Sequence, residues 1–80
     1  MFVPYKFVHA EWDDEALVWV ASSDDVPGLA TEAETMEALV KKLKIMIPEL
    51  LEANNAFGQN EDIPFELLVR RFDIAYRNPV

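Results

Sequence analysis

No cysteine occurs among the 80 residues, which excludes both a disulfide framework and a thiolate metal site. Glycine is nearly as scarce. Gly28 and Gly58 cannot supply a loop that cradles phosphate through successive backbone N–H groups. The single histidine, His9, has no second His or Cys with which to hold a metal, and with only Ser22 and Ser23 further along it does not compose a Ser-His-Asp constellation. No apolar run approaches the ~18 residues of a membrane span, and Met1 to Lys6 lacks the pattern of a signal peptide. The expected setting is the cytoplasm, with no membrane partner and no cofactor.

Basic residues are few: Lys and Arg total 7 against 15 acids, a net charge of −8. The excess is uneven. Residues 1–37 set nine acids, from Glu11 to Glu37, against Lys6 alone, whereas acids and bases balance in the remainder. Such a surface repels phosphate and steers a basic protein towards itself. Neither Lys41-Lys42-Lys44 nor Arg70-Arg71 is large enough to reverse that, so no direct nucleic-acid binding is expected. At this length one domain forms, burying only roughly 60% of the unfolded chain's surface, and association would help to stabilise it.

Alternation predicts a strand from Tyr5 to Trp12 and a second from Leu17 to Ser22, joined through Asp13-Asp14-Glu15, so that residues 5–22 form a hairpin. A three-residue loop would set Ala10 opposite Val18 and put Val8, Ala10, Trp12, Val18 and Val20 on the helix-facing side. Phe7, Leu17 and Trp19 would then share the other side with His9 and Glu11. In Val26-Pro27-Gly28-Leu29, Pro27 fixes its own φ and extends Val26, and Gly28 accepts the positive φ of a type II turn. Residues 29–33 suit a short strand. Thr35 is placed to cap a helix over 35–54, with Glu34 and Glu37 at the positive end of its dipole.

Along that helix Met36, Leu39, Val40, Leu43, Met46, Ile47, Leu50 and Leu51 make one wide apolar face, with Ile45 left on the polar side. Pro48 has no N–H for the Lys44 carbonyl, so a kink is expected there, and Asn54, Asn55 and Gly58 are stop signals. Residues 65–76 read as the last strand, with a phase change: Phe65, Leu67 and Val69 are odd, Phe72, Ile74 and Tyr76 even. Either a bulge at Arg70-Arg71 keeps one face apolar, or the strand is apolar on both faces and uses the second for association.

Ser23-Asp24-Asp25-Val26-Pro27-Gly28-Leu29, then Thr31, then Glu34-Thr35-Met36-Glu37-Ala38 opening a helix, resembles the HicB family of prokaryotic antitoxins and its stand-alone relatives of unknown function, over residues 5–52. The resemblance implies an α+β fold of order β-β-β-α-β: a small mixed sheet of four strands, partial RNase H-like, covered on one face by one Pro-kinked helix. Two features depart from the antitoxin pattern. Ala38 replaces the second acid usual in that helix cap, and no DNA-binding segment follows up to Val80, so an operator-binding role is not carried over.

A nuclease of the RNase H kind needs carboxylates clustered around two metals. The first strand offers Val8-His9-Ala10 at its middle, so no catalytic or metal role is expected. In the family the antitoxin occludes HicA, a small basic RNA-cleaving toxin. By resemblance Asp24, Asp25, Glu34 and Glu37 would face such a partner, electrostatics speeding encounter. The alternative is a stand-alone homo-oligomer with a structural or ligand-binding role. One helix leaves one side of the sheet open, and Phe7, Leu17 and Trp19 there are the expected homodimer contact.

Overall fold

The computed structural model describes residues 5–54 and 62–78. Four strands and one helix follow in the order β1 (Lys6–Asp13), β2 (Val18–Ser22), β3 (Ala30–Ala33), α1 (Met36–Ala53) and β4 (Phe65–Arg70). The sheet order is β3-β2-β1-β4, with β1 antiparallel to β2, β2 antiparallel to β3, and β4 parallel to β1. The fold is therefore the expected α+β arrangement of a four-stranded mixed sheet and one helix. β3 and β4 run parallel at opposite edges, so the chain must cross the whole sheet between them, and α1 makes that crossing.

Local chemistry sets the entry to the helix. Leu29 N–H donates to the Val26 carbonyl at 3.1 Å and Gly28 sits at φ +85°, the geometry of the Pro-Gly type II turn. Thr35 is extended (φ −127°, ψ 158°) and its hydroxyl accepts from Ala38 N–H at 3.1 Å, satisfying one of the N–H groups that a helix start leaves without a partner. Leu39, Leu43, Ile47 and Leu51, four residues apart, are buried along one stripe against Val8, Ala10, Ala21 and Ala33 of the sheet. Small residues on the strands let the leucine-rich helix approach. Ile45 points away, 62% exposed. α1 continues through Pro48 as one helix, and Asn54 closes it by directing both its backbone N–H (3.1 Å) and its side-chain amide (2.7 Å) to the Leu50 carbonyl. Asn55 and Gly58 lie outside the described residues.

The hairpin differs from the three-residue expectation. Asp13 is paired with Val18, leaving a four-residue connection, and Ala10 lies opposite Ala21. Asp13 is the cause. Its carboxylate accepts the N–H groups of Glu15 (2.9 Å) and Ala16 (3.1 Å), its carbonyl accepts Leu17 N–H (2.7 Å), and Leu17 is turned to φ +58° to complete the reversal. Because side chains alternate, the odd shift reassigns β2. Trp19 moves to the helix side, where it faces Trp12 with ring centroids 5.2 Å apart and packs against the core. Val20 moves to the open side opposite Glu11. Of the three expected open-face residues, Phe7 stays there, Leu17 belongs to the exposed turn and Trp19 is on the opposite face.

The last strand ends at Arg70 rather than at residue 76. Arg70 is paired with Glu11, and two residues beyond Glu11 the neighbouring β1 ends and turns back into β2. Continued in register, Arg71 and Phe72 would fall opposite Trp12 and Asp13, where the ladder has already stopped, and residues 73–76 lie beyond the end of β1. Nor is there a bulge at the arginines. Arg70 lies on the open face, 3.9 Å from Glu11, while Arg71 lies on the helix side over the rings of Trp12 (4.8 Å) and Trp19 (5.8 Å), as uninterrupted alternation requires. The phase change is therefore a change in which face is apolar. Phe72, Ile74 and Tyr76 are 81%, 53% and 71% exposed.

Candidate functional site

Asp24 and Asp25, both expected to face a partner, lie in the turn between β2 and β3, and the structure gives them different surroundings. The β1–β2 ladder stops at His9 opposite Ser22, which leaves the Phe7 backbone one step beyond it. Side chains continue the ladder. Ser23 Oγ donates to the Phe7 carbonyl at 2.6 Å, and Asp25 Oδ2 accepts Phe7 N–H at 2.8 Å. Ser23 Oγ in turn accepts the N–H groups of Asp25 (3.1 Å) and Val26 (3.2 Å), which folds the turn onto the strand. Asp25 is thus engaged in holding β1, whereas Asp24 is exposed and accepts none of the hydrogen bonds found among the described residues.

Glu34 and Glu37 are exposed at the helix start, where Glu37 occupies the first turn. They do not join Asp24. Ser22 is paired with Ala30 and Trp19 with Ala33, so the turn and the helix start flank opposite ends of β3, on the order of 10 Å apart along the strand. Between them lies the outer edge of the sheet. Glu32 is exposed there and Lys42 Nζ donates to its carbonyl at 2.5 Å. The acidic side is a discontinuous rim along β3 rather than one cluster.

The open face of the sheet carries a shallow recess of about 320 Å³ lined by His9, Glu11, Ser22, Ser23, Asp24, Leu68 and Arg70. Several of its polar groups are already engaged or weakly paired. Ser23 is committed to the backbone, Glu11 and Arg70 form an exposed pair of a kind worth ~0–1 kcal/mol, and among the described residues no group of three or more His, Asp or Glu side chains is placed to hold a metal ion. Leu68 in its lining (39% exposed) and Phe7 on the same face (44% exposed) are open to solvent. Leu68 and Val20 were not singled out from sequence, because the hairpin register and the pairing of β4 with β1 decide that they share this face. On the helix side Trp12 is fixed by donating Nε1–H to Asp14 at 2.7 Å, and Arg71, 3.5 Å from Asp73, covers the tryptophan pair. Asp14 of the hairpin and Asp73 beyond β4 are thus engaged locally. No helix among the described residues is long and apolar enough to cross a membrane.

Comparison with known proteins places this geometry in a family. A solved structure, that of a hypothetical protein, TTHA1013, from the extremely thermophilic bacterium Thermus thermophilus, is similar with a TM-score of 0.65 and 49% sequence identity, covering 91% of this chain and 99% of that one. No curated protein matches. A domain of unknown function, DUF1902, matches residues 5–75, which takes in all four strands and the helix. The chain therefore belongs to the DUF1902 family.

Proposed function

We propose that the protein is a non-catalytic, HicB-like interaction module that works by associating with other protein rather than by turning over a substrate. The observation that carries this reading is the surface opposite the helix. Phe7, Val20 and Leu68 are exposed on one sheet face, and Phe72, Ile74 and Tyr76, beyond the end of β4, are exposed with no partner strand among the described residues. Exposed apolar surface of this extent on a small domain marks a contact site. The fold itself is silent on function, since unrelated activities share such scaffolds.

The charge asymmetry favours a second reading, an antitoxin-like component that binds a small basic HicA-type toxin. Asp24, Glu34 and Glu37 are the exposed acids available for it; Asp25 is engaged with β1. One experiment separates the two: size-exclusion chromatography with light scattering on the chain alone and after mixing with the product of any small basic gene beside its own. A homodimer indifferent to that product supports a stand-alone module. A 1:1 or 2:2 complex that weakens with salt and with Asp24→Lys plus Glu37→Lys supports the antitoxin-like role. A chain that stays monomeric and binds nothing would refute association as its mode of action.

A further inference from the structure

The two edges of the sheet are built differently. β3 is four residues long, exposes Glu32, and has its edge carbonyl at Glu32 taken by Lys42 Nζ. Short, charged and side-chain-capped edges resist pairing with another chain. β4 is charged too, at Glu66 and Arg70, but it is longer and its edge is not capped by a lysine. It has six residues, carries no proline, and its outer edge, away from β1, pairs with no strand among the described residues. It then runs on into residues 71–76, where Phe72, Ile74 and Tyr76 alternate with Arg71, Asp73 and Ala75 in strand fashion without a ladder. Apart from Ile74 N–H, which donates to its neighbour Asp73 Oδ1 at 2.8 Å, the exposed backbone of this segment makes no ladder among the described residues, so a second chain can replace water along it.

Resting on the association reading above, we infer that residues 68–76 pair antiparallel with the same residues of a second copy about a two-fold axis at Phe72, joining two sheets through β4. The register follows from charge. Centred on Phe72, the pairing sets Arg71 opposite Asp73 of the second copy, twice, in exchange for the 3.5 Å pair the two make within one chain, and aligns Leu68 with Tyr76 and Arg70 with Ile74. Phe72 meets its own counterpart. Centred on Arg70, it would oppose two guanidinium groups, a repulsive cross-strand pair. Centred on Leu68, it would match Glu66 with Arg70 but leave Phe72, Ile74 and Tyr76 without a partner strand. An even-numbered alignment also keeps all three on one side, in phase with Leu68 on the open face. Their exposed fractions sum to on the order of 400 Å² of side-chain surface per copy, an upper bound on what edge-to-edge pairing takes from them and about half of the ~800 Å² per partner typical of a stable interface. Leu68, Val69 and the newly paired backbone add to it. The contact is isologous, as a closed dimer requires.

The absence of native cysteine makes the test clean. Cross-strand Cβ atoms at a directly opposed pair lie within disulfide reach. On mild oxidation Phe72→Cys should give a disulfide-linked dimer at a rate at least tenfold above Ile45→Cys, an exposed helix position. Because Phe72 is itself part of the contact it reports on, charge exchange provides a second measurement. Arg71→Asp alone and Asp73→Arg alone should each run near the 9.2 kDa monomer mass, while a mixture of the two should restore a species of twice that mass, because each then opposes its complement. A native dimer in which Phe72→Cys links no faster than Ile45→Cys, or in which both charge variants still dimerise alone, overturns this interface while leaving association intact. A monomeric native chain that binds a basic partner overturns it too.

Discussion

Removing the Asp25 carboxylate tests whether the turn after β2 holds β1 or merely decorates the surface. In Asp25→Ala the Phe7 N–H loses a charged acceptor at 2.8 Å. A hydrogen bond to a charged group contributes ~1.5–3 kcal/mol where water is excluded. Both groups here border solvent, and water replaces part of what is lost, so the expected cost is about 1 kcal/mol. For 80 residues the whole stability is on the order of 4–12 kcal/mol, and 1 kcal/mol lowers Tm by about 4–8 °C in a domain of this size. Thermal unfolding followed by circular dichroism reads this directly. Asp24→Ala, one residue away and of equal charge, is the control and should stay within about 0.5 kcal/mol, since Asp24 bonds to nothing described. Ser23→Ala should cost at least as much as Asp25→Ala, because Ser23 Oγ serves the Phe7 carbonyl and two turn N–H groups. Equal melting shifts for the Asp24 and Asp25 variants would refute the clamp, because net charge would then be the only thing either residue contributes.

Leu17 holds a positive φ with an exposed branched side chain, so Leu17→Gly should raise stability by up to about 1 kcal/mol, seen as an increase in Tm; a decrease would mean that Leu17 packs in a way its exposure conceals. Within the helix, Leu43→Ala should lose ~2–5 kcal/mol in a denaturant titration, whereas Ile45→Ala, two residues away, should change little, the contrast measuring the buried stripe against the polar side.

Much of the chain's organisation was written locally. Pro27 and Gly28 encode their turn through backbone sterics, Thr35 encodes the helix start through one hydroxyl, and the spacing from Leu39 to Leu51 encodes which side of α1 is buried, so the element order and fold class could be read without knowing any contact. The Asp13 turn was also local, and the carboxylate two and three residues ahead of the N–H groups it accepts is a signal that could have given the four-residue loop and the correct face for Trp19. Other features belong to the tertiary structure alone. That β4 lies beside β1 and that Leu68 shares a face with Phe7 depend on pairing between segments more than fifty residues apart, and the strand pattern of residues 71–76 does not reveal that the ladder stops at Arg70. Asp24 and Asp25 are identical to any reading of composition or charge. Only the placement of the Phe7 N–H, eighteen residues earlier in the chain, makes one a structural acceptor and leaves the other exposed to solvent, because a hydrogen bond is decided by geometry that charge alone does not specify.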